Sequence, residues 1–412
     1  MYLLSRVFDR AATAGLVTIV GKQLWDMTEG RPDSERLLVL GYLGLVQFIP
    51  TFLLAPFVGP LADRFDRRYV SAFGLGIYAA LSATLYLYVR TDPADVIPIF
   101  VIMGVQGATE ALQRPAARAL PFDLAPRAIV PRVVALNSGS FQIGSIVGPI
   151  LAGLLFTITP ATPYAIFLLL FVIGAVLIVL LPDSGVERLT SVGDAPKGTR
   201  VIKDAIEGFR FVRATPVLGA AITMDFFAAF FGGLRALLPA IADERLGVGA
   251  VGLGGLRAAE GVGAGLITLV LAFRPLTRRV GPSLLVAVAI FGIATIGVGF
   301  STSYVLACGL LMVVSGADAV SVFIRSSLVP LATPENMRGR VLAMENVFIG
   351  ASNELGGYES GVTAAWFGLV GAIALGGVGT LFVVVAYTLV FKSLLRVDGF
   401  DDVIPDKPRA VP

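Results

Sequence analysis

Apolar residues run through this chain in long, nearly unbroken windows, and polar residues are gathered in the short links between them. Twelve windows stand out, near 3–25, 37–60, 69–90, 97–117, 133–157, 163–181, 213–239, 250–273, 281–300, 303–327, 339–363 and 368–391. About 20 apolar residues in a helix, rising 1.5 Å each, cross a bilayer. A large soluble core can imitate one or two such windows but hardly twelve. The pattern therefore predicts an all-α polytopic membrane protein with twelve transmembrane helices. The longest polar stretch, 182–212, includes Pro182-Asp183-Ser184-Gly185 and divides the windows into two sets of six. The expected organisation is a six-helix bundle at 1–181, a cytoplasmic linker at 182–212, a second six-helix bundle at 213–392 and a cytoplasmic tail at 393–412. Within the linker, Val201 to Val212 alternates charged and apolar residues, as a helix lying on a membrane surface does.

The two sets repeat. Arg132-Val133-Val134-Ala135-Leu136-Asn137 opens the fifth window, and Arg340-Val341-Leu342-Ala343-Met344-Glu345 opens the eleventh. The same offset of 208 pairs Pro126 with Pro334, Gly148 with Gly356 and Gly153 with Gly361. The first and seventh windows align with Asp9 against Asp225 and Ala12 against Ala228. Duplicated halves are the architecture of transporters in which one bundle rocks against the other around a mid-bilayer site. The repeat speaks to architecture and leaves the function open.

Composition sharpens this picture. Only 15% of residues are charged, against roughly 25% in a soluble protein, and the mean hydropathy is +0.83. The net charge of +3 could suggest nucleic acid, but topology accounts for it better. With the first helix entering from the cytoplasm, the inner segments hold twenty-one Lys and Arg residues. The outer links hold four: Arg31, Arg36, Arg90 and Arg245. That bias puts both termini in the cytoplasm. The first apolar window carries Arg6, Asp9, Arg10 and Lys22, which does not suit a cleavable signal peptide. The chain also starts almost inside that window, so either the cytoplasmic lead is short or the true start lies a few residues upstream.

Cys308 is the single cysteine, which excludes an intrachain disulfide, and there is no histidine. Imidazole relays, Ser/His/Asp catalysis and His-ligated metal sites are therefore excluded, and any proton the chain carries must ride on a carboxylate. The phosphate-binding pattern G-x-x-x-x-G-K-[ST] is missing, which disfavours ATP-driven pumping by this chain.

One link is unusually dense. Gly59-Pro60-Leu61-Ala62-Asp63-Arg64-Phe65-Asp66-Arg67-Arg68 puts five charges between two apolar windows, marking a sharp turn at the cytoplasmic surface. It resembles the loop 2–3 signature of the major facilitator superfamily, G-x-L-A-D-R-x-G-R-R, with Asp66 in place of the glycine. Two other segments carry the same resemblance: Arg114-Pro115-Ala116-Ala117-Arg118-Ala119-Leu120-Pro121, and Met337-Arg338-Gly339-Arg340-Val341 running into Asn346 through Gly356. Within the superfamily the chain looks most like the branch of the bacterial enterobactin exporter and related drug-efflux proteins.

The resemblance implies twelve helices, alternating access, gradient-coupled solute movement and a place in the bacterial inner membrane. It also implies a cytoplasmic gate at Gly59, Asp63, Arg64, Arg67, Arg68 and Arg118. There Asp63 would meet the start of the eleventh helix or pair with an arginine. A merely topogenic role for these charges is the alternative. Gly144-Ser145-Ile146-Val147-Gly148-Pro149-Ile150-Leu151-Ala152-Gly153 is similar to the antiporter element G-x-x-x-G-P-x-x-G-G. Gly144, Gly148, Pro149 and Gly153 are thus a hinge that another helix approaches closely. Such small-residue strips occur in all membrane bundles.

Eight carboxylates fall inside the windows: Asp9, Glu110, Asp225, Glu260, Asp318, Glu345, Glu354 and Glu359. Each should face protein or a water-filled cavity. Glu110 with Arg114 and Arg257 with Glu260 have the spacing of ion pairs along one helix. Asp225 lies about 14 Å into its helix, close to mid-bilayer, where lost solvation favours the neutral acid. Asp9 has Arg6 and Arg10 beside it. On the eleventh helix Glu345, Ser352 and Glu359 share a face, with Asn346, Asn353 and Ser360 alongside and Glu354 on the opposite side. That stripe faces either a cavity or a polar helix interface. The candidates for proton coupling and the cavity wall are Asp9, Glu110, Asp225, Glu345, Asn346, Asn353 and Glu354. Phe226, Phe227, Phe230 and Phe231 would suit an amphipathic organic ligand, and equally a lipid-facing surface.

Together with the resemblance, on which the export direction rests, these observations lead to a proton-coupled exporter of a small organic compound, such as a siderophore or a lipophilic drug. An importer of a nutrient or lipid, or a non-transporting receptor with the same fold, are the alternatives. The expected partners are the substrate, protons and the lipid bilayer, with a monomer as the working unit. No cofactor, metal or nucleic acid is expected.

Overall fold

The computed structural model describes residues 1–124, 129–181 and 198–404; the side chains of 55–64, 118, 123–124, 130–131 and 198–205 fall outside that description. Among the described residues the structure is helical, without strands. The first half supplies α1 (Tyr2–Met27), α2 (Asp33–Arg64), α3 (Arg67–Val89), α4 (Ile97–Leu124), α5 (Val130–Phe156) and α6 (Thr162–Val179). Next comes α7 (Gly198–Ala214), a helix over the later part of the expected linker. The second half opens with α8 (Pro216–Phe231), a 3-10 turn (Leu234–Leu237), the short α9 (Leu238–Ala240) and one π-helical turn (Ile241–Arg245). It continues with α10 (Gly249–Phe273), α11 (Val280–Phe300), α12 (Tyr304–Leu331), α13 (Glu335–Val390) and α14 (Lys392–Leu395).

Nine described helices are long and apolar enough to cross a bilayer. The twelve expected spans follow from these. α13 is two helices joined at Gly368, whose φ of 74° and ψ of 169° lie in a region open essentially to glycine alone. α1 and α4 have the required length of 26 and 28 residues but carry more charge. The seventh span is less regular than its sequence suggests. Gly232-Gly233 ends α8, and Gly233 lies against the carbonyl of Gly356, where a side chain has no room. Phe273, Val305 and Phe382 are 80%, 79% and 70% exposed, as lipid-facing side chains must be.

The chain forms two compact units. Unit 1 comprises Met1–Pro32, Leu45–Gly198 and Leu238–Gly261. In it α1 packs against α5 and α6, and α3 against α4 and α6, around buried Leu16, Ile19, Tyr78, Phe167 and Phe171. The Tyr78 and Phe171 rings lie 5.3 Å apart. Unit 2 comprises Asp33–Gly44, Thr199–Leu237 and Val262–Pro412. There α13 packs against α8 and α11, and α11 against α12, around Leu218, Met224, Leu284, Ile324, Leu328 and Val341. Each unit thus takes in one segment from the opposite half of the sequence.

Local chemistry explains the helix ends near the signature link. α2 runs on through Arg64, so the turn itself is only Phe65-Asp66. Asp66, where the superfamily pattern has glycine, caps α3: its carboxylate accepts from the Arg68 backbone N–H at 2.9 Å and pairs with the Arg68 guanidinium at 3.0 Å. Arg68 also donates to the Leu181 carbonyl at 2.8 Å, tying the start of α3 to the end of α6. In unit 2, α7 is docked by Arg340, which donates to Glu207 at 2.6 Å, while Phe211 and Val212 join the unit's core.

Candidate functional site

The most heavily buried charges of unit 2 converge from three helices. Asp225 on α8 accepts from Arg325 on α12 at 2.7 Å, and Glu345 on α13 lies 3.6 Å from the same guanidinium. The side chains of Arg325, Asp225 and Glu345 are 4%, 11% and 9% exposed, so each is nearly lost to solvent. Ser321, one turn before Arg325, donates to Asp225 at 3.5 Å. One cation faces two carboxylates, leaving the cluster with one net negative charge when all three are ionised. A buried ion pair loses much of its attraction to desolvation, and an unmatched charge in such a place is costly.

Weighing only the carboxylates in the apolar windows misses Arg325. Its signal in the sequence is its position inside 303–327, seven residues or about two helical turns after Asp318. The pairing also changes the reading of Asp225, which is not a lone acid in hydrocarbon but the partner of a buried cation.

Unit 1 holds a second polar centre. Asp9, Arg10 and Thr13 of α1, Tyr78 of α3, and Glu110, Gln113, Arg114 and Ala117 of α4 line a small cavity. Asp9 is matched on its own helix by Arg6 at 2.7 Å, and Thr13 donates to it at 3.4 Å. Glu110 and Arg114 pair at 2.6 Å, as their spacing predicts, and Arg257 and Glu260 lie 3.7 Å apart in the same way. The structure therefore brings Asp9 and Glu110 together in unit 1, and Asp225 and Glu345 together in unit 2.

The polar stripe of α13 divides. Glu345 and Ser352 are buried, and Ser352 bonds the Ile349 carbonyl of its own helix. Asn346 and Asn353 lie exposed on the adjoining face, donating to Leu342 and Ile349 carbonyls at 2.8 Å each. Glu354, on the far side, lies beside Gly44 of α2: a Cβ at Gly44 would sit 3.2 Å from its Oε2. Glu359 accepts from Thr363 at 2.7 Å. Phe226 stacks on Phe230 with centroids 6.2 Å apart and meets Phe348 edge-on at 5.5 Å.

The small-residue strip of α5 is where α1 comes closest. A Cβ at Gly144 would lie 2.5 Å from Arg10 Cβ and 2.8 Å from Ala11 N, and one at Gly148 would run into the Ala11 carbonyl. Farther along, Gly153 abuts the Ala250 carbonyl, and the Pro149 carbonyl abuts Gly254 of α10. The repeat reproduces this in unit 2. Gly356, the equivalent of Gly148, would place a Cβ 2.6 Å from the Ala229 carbonyl, and Gly361, the equivalent of Gly153, would place one 2.5 Å from Gly41 Cα. At the end of α1, Lys22 bridges Asp26 and Asp243, the latter at 2.9 Å, all within unit 1. Of the gate residues, Arg67 and Arg68 are described, whereas the side chains of Gly59, Asp63, Arg64 and Arg118 lie outside the described residues.

Long apolar helices in two repeated sets, with charged groups paired in the interior, define a polytopic helical membrane protein. A sequence profile of the Major Facilitator Superfamily matches residues 25–357, and the chain belongs to that family. The Enterobactin exporter EntS of Escherichia coli O127:H6 (strain E2348/69 / EPEC) is 25% identical over 341 residues, spanning 82% of this chain and 80% of the relative. The Shigella flexneri protein of the same name is 26% identical over 344 residues, with 82% and 79% covered. Among solved structures, a D-xylose-proton symporter superposes with a TM-score of 0.71 at 13% identity, covering 95% of this chain and 98% of that one. A bacterial homolog to the human lysosomal transporter Spinster, in an inward-facing and occupied conformation, gives 0.65 at 14% identity with 98% of both chains covered. At such identities the structural likeness establishes the fold alone.

Proposed function

We propose that the chain is a proton-coupled exporter of a small organic compound, such as a siderophore or lipophilic drug, working by alternating access in the bacterial inner membrane with both termini cytoplasmic. The observation that carries this reading is Arg325 shared between Asp225 and Glu345. With one cation against two acids, a single proton brings the buried cluster to neutrality, and its loss restores one unmatched charge. A group that is costly in one protonation state and neutral in the other is what couples proton binding to a change of packing. The export direction is supported by the relatives named as enterobactin exporters. In this reading the α5 strip and its α13 counterpart are the surfaces on which helices pivot, and Asp63 with its neighbouring arginines forms the cytoplasmic gate.

The test is flux in liposomes carrying the purified protein under an imposed pH gradient, with a panel of organic compounds, followed by Asp225→Asn on any compound that moves. The variant is expected to exchange substrate but to lose its response to the gradient. Normal exchange that still follows the gradient would remove Asp225 as the coupling acid. In cells, higher accumulation of the compound when an uncoupler collapses the gradient is expected for export, and lower accumulation for import.

A further inference from the structure

The charges around the unit 1 cavity do not cancel. Asp9 is engaged by Arg6 and Thr13, and Glu110 by Arg114, so both carboxylates have cationic partners. Arg10 has none among the described residues; its guanidinium lies 5.2 Å from the centre of the Phe141 ring, and its buried Nε has no acceptor. Across the cavity Gln113 is only 6% exposed, and its amide Nε2 also has no acceptor. Gln113 is held in place by Gly74 of α3, where a Cβ would come within 3.0 Å of its Cγ. A buried N–H donor left without a partner is costly and rare in native proteins. Two of them, one on Gln113 and one on Arg10, itself the uncompensated cation, belong to side chains that line one cavity and describe a place built to receive an oxygen.

We propose that this cavity is a subsite for an anionic oxygen group of the transported compound, a carboxylate or phenolate, with Arg10 and Gln113 as the donors. Arg10 neutralises the charge, and Gln113 fixes the orientation from the opposite helix. The free space is about that of one water molecule, so it accepts a single oxygen atom of such a group, with the rest of the compound outside it. Phe141 is not a wall of the cavity, but its half-exposed ring beside Arg10 would offer an apolar surface to the body of an aromatic acid. Cationic compounds are disfavoured, because the cavity already carries one excess positive charge.

The inference gives the substrate class for the transport reading and rests on that reading for its biological meaning, but binding is measured without any flux. Benzoate, benzyl alcohol and benzylamine are titrated by calorimetry into the full chain in lipid nanodiscs. Benzoate is expected to bind at least tenfold more tightly than the other two, the scale of a charge-assisted hydrogen bond. Arg10→Gln should erase that preference, Arg10→Lys should keep most of it, and Gln113→Leu should weaken benzoate several-fold and benzyl alcohol by less, since a neutral acceptor makes the weaker hydrogen bond. Equal binding of all three probes, as expected if only water occupies the cavity, would overturn the proposal. So would a preference for benzylamine, or benzoate binding that Arg10→Gln leaves intact in a variant that still elutes as a single folded species. Selective benzoate binding without transport of any compound would uphold the subsite and reject the exporter reading.

Discussion

Replacing Arg325 by glutamine tests whether the unit 2 cluster holds its helices together electrostatically. At 2.7 Å and an effective dielectric constant of about 20, its gross attraction to Asp225 is about 6 kcal/mol, and to Glu345 at 3.6 Å about 5 kcal/mol. Desolvation of the three groups cancels most of this in the intact protein, so the cluster adds little net stability. Removing the cation alone is different, because it strands two carboxylates whose side chains are 11% and 9% exposed. Breaking a buried pair in this way costs about 3–5 kcal/mol. Arg325→Gln should lose about that much, whereas Asp225→Asn with Arg325→Gln together should lose less than the sum of the single changes, by about 2 kcal/mol or more. The measurement is equilibrium unfolding of purified protein in mixed detergent micelles, followed by circular dichroism across all four members of the cycle. Additivity within about 0.5 kcal/mol, or an Arg325→Gln variant as stable as the parent, would refute the shared-cation description.

Three further outcomes follow from the packing. Gly148→Ala drives a methyl into the Ala11 carbonyl and should cost about 1–3 kcal/mol, while Gly139→Ala, with open space around it, should be neutral or gain up to about 1 kcal/mol in the same assay. Gly368→Ala forces a side chain into a glycine-only conformation between the two helices of α13 and should cost about 1–3 kcal/mol, read as a lower thermal midpoint. At the cap of α3, Asp66→Ala should cost about 1 kcal/mol, but Asp66→Gly, which restores the residue of the superfamily pattern, only a few tenths.

Much of the fold was legible because lipid imposes one rule, that backbone polar groups must be satisfied within a helix, and apolar runs of fixed length reveal it. A helix before α8 and the close approach of another helix to the α5 strip were legible for similar reasons, since charge alternation and four-residue spacing map directly onto helix faces, though the spacing did not say that the approaching helix is α1. Two features were not. The break after Phe231 depends on Gly233 meeting the Gly356 carbonyl, a contact between distant residues that no local pattern encodes. Arg325 was hidden because its meaning lies in partners 100 residues before and 20 after it, on other helices. The acid spacings on α13 place Glu345 and Ser352 on one face, and both are buried, but they could not say that the near neighbours Asn346 and Asn353 turn to an exposed face.

The repeat makes the chemical difference between the halves informative. Asp9 and Asp225 fall at approximately equivalent places in the two halves, at an offset of 216 rather than 208, and both are buried beside an arginine. Yet Asp9 is matched by Arg6 three residues away on its own helix, an arrangement that travels with α1 as a rigid piece. Asp225 is matched across helices, by Arg325 of α12, which also serves Glu345 of α13. The Arg6–Asp9 distance is set within one helix, whereas the distances from Arg325 to its two acids are set by the spacing of three helices. Protonating Asp9 therefore breaks no ion pair between helices, whereas protonating Asp225 or Glu345 changes what α12 gains by standing between α8 and α13. The excess charge is also opposite in sign, one cation around the unit 1 cavity and one anion in the unit 2 cluster. On the exporter and subsite readings proposed above, opposite surpluses on a duplicated scaffold suit a division of labour, in which the first half would hold an anionic group of the cargo and the second half would accept the proton.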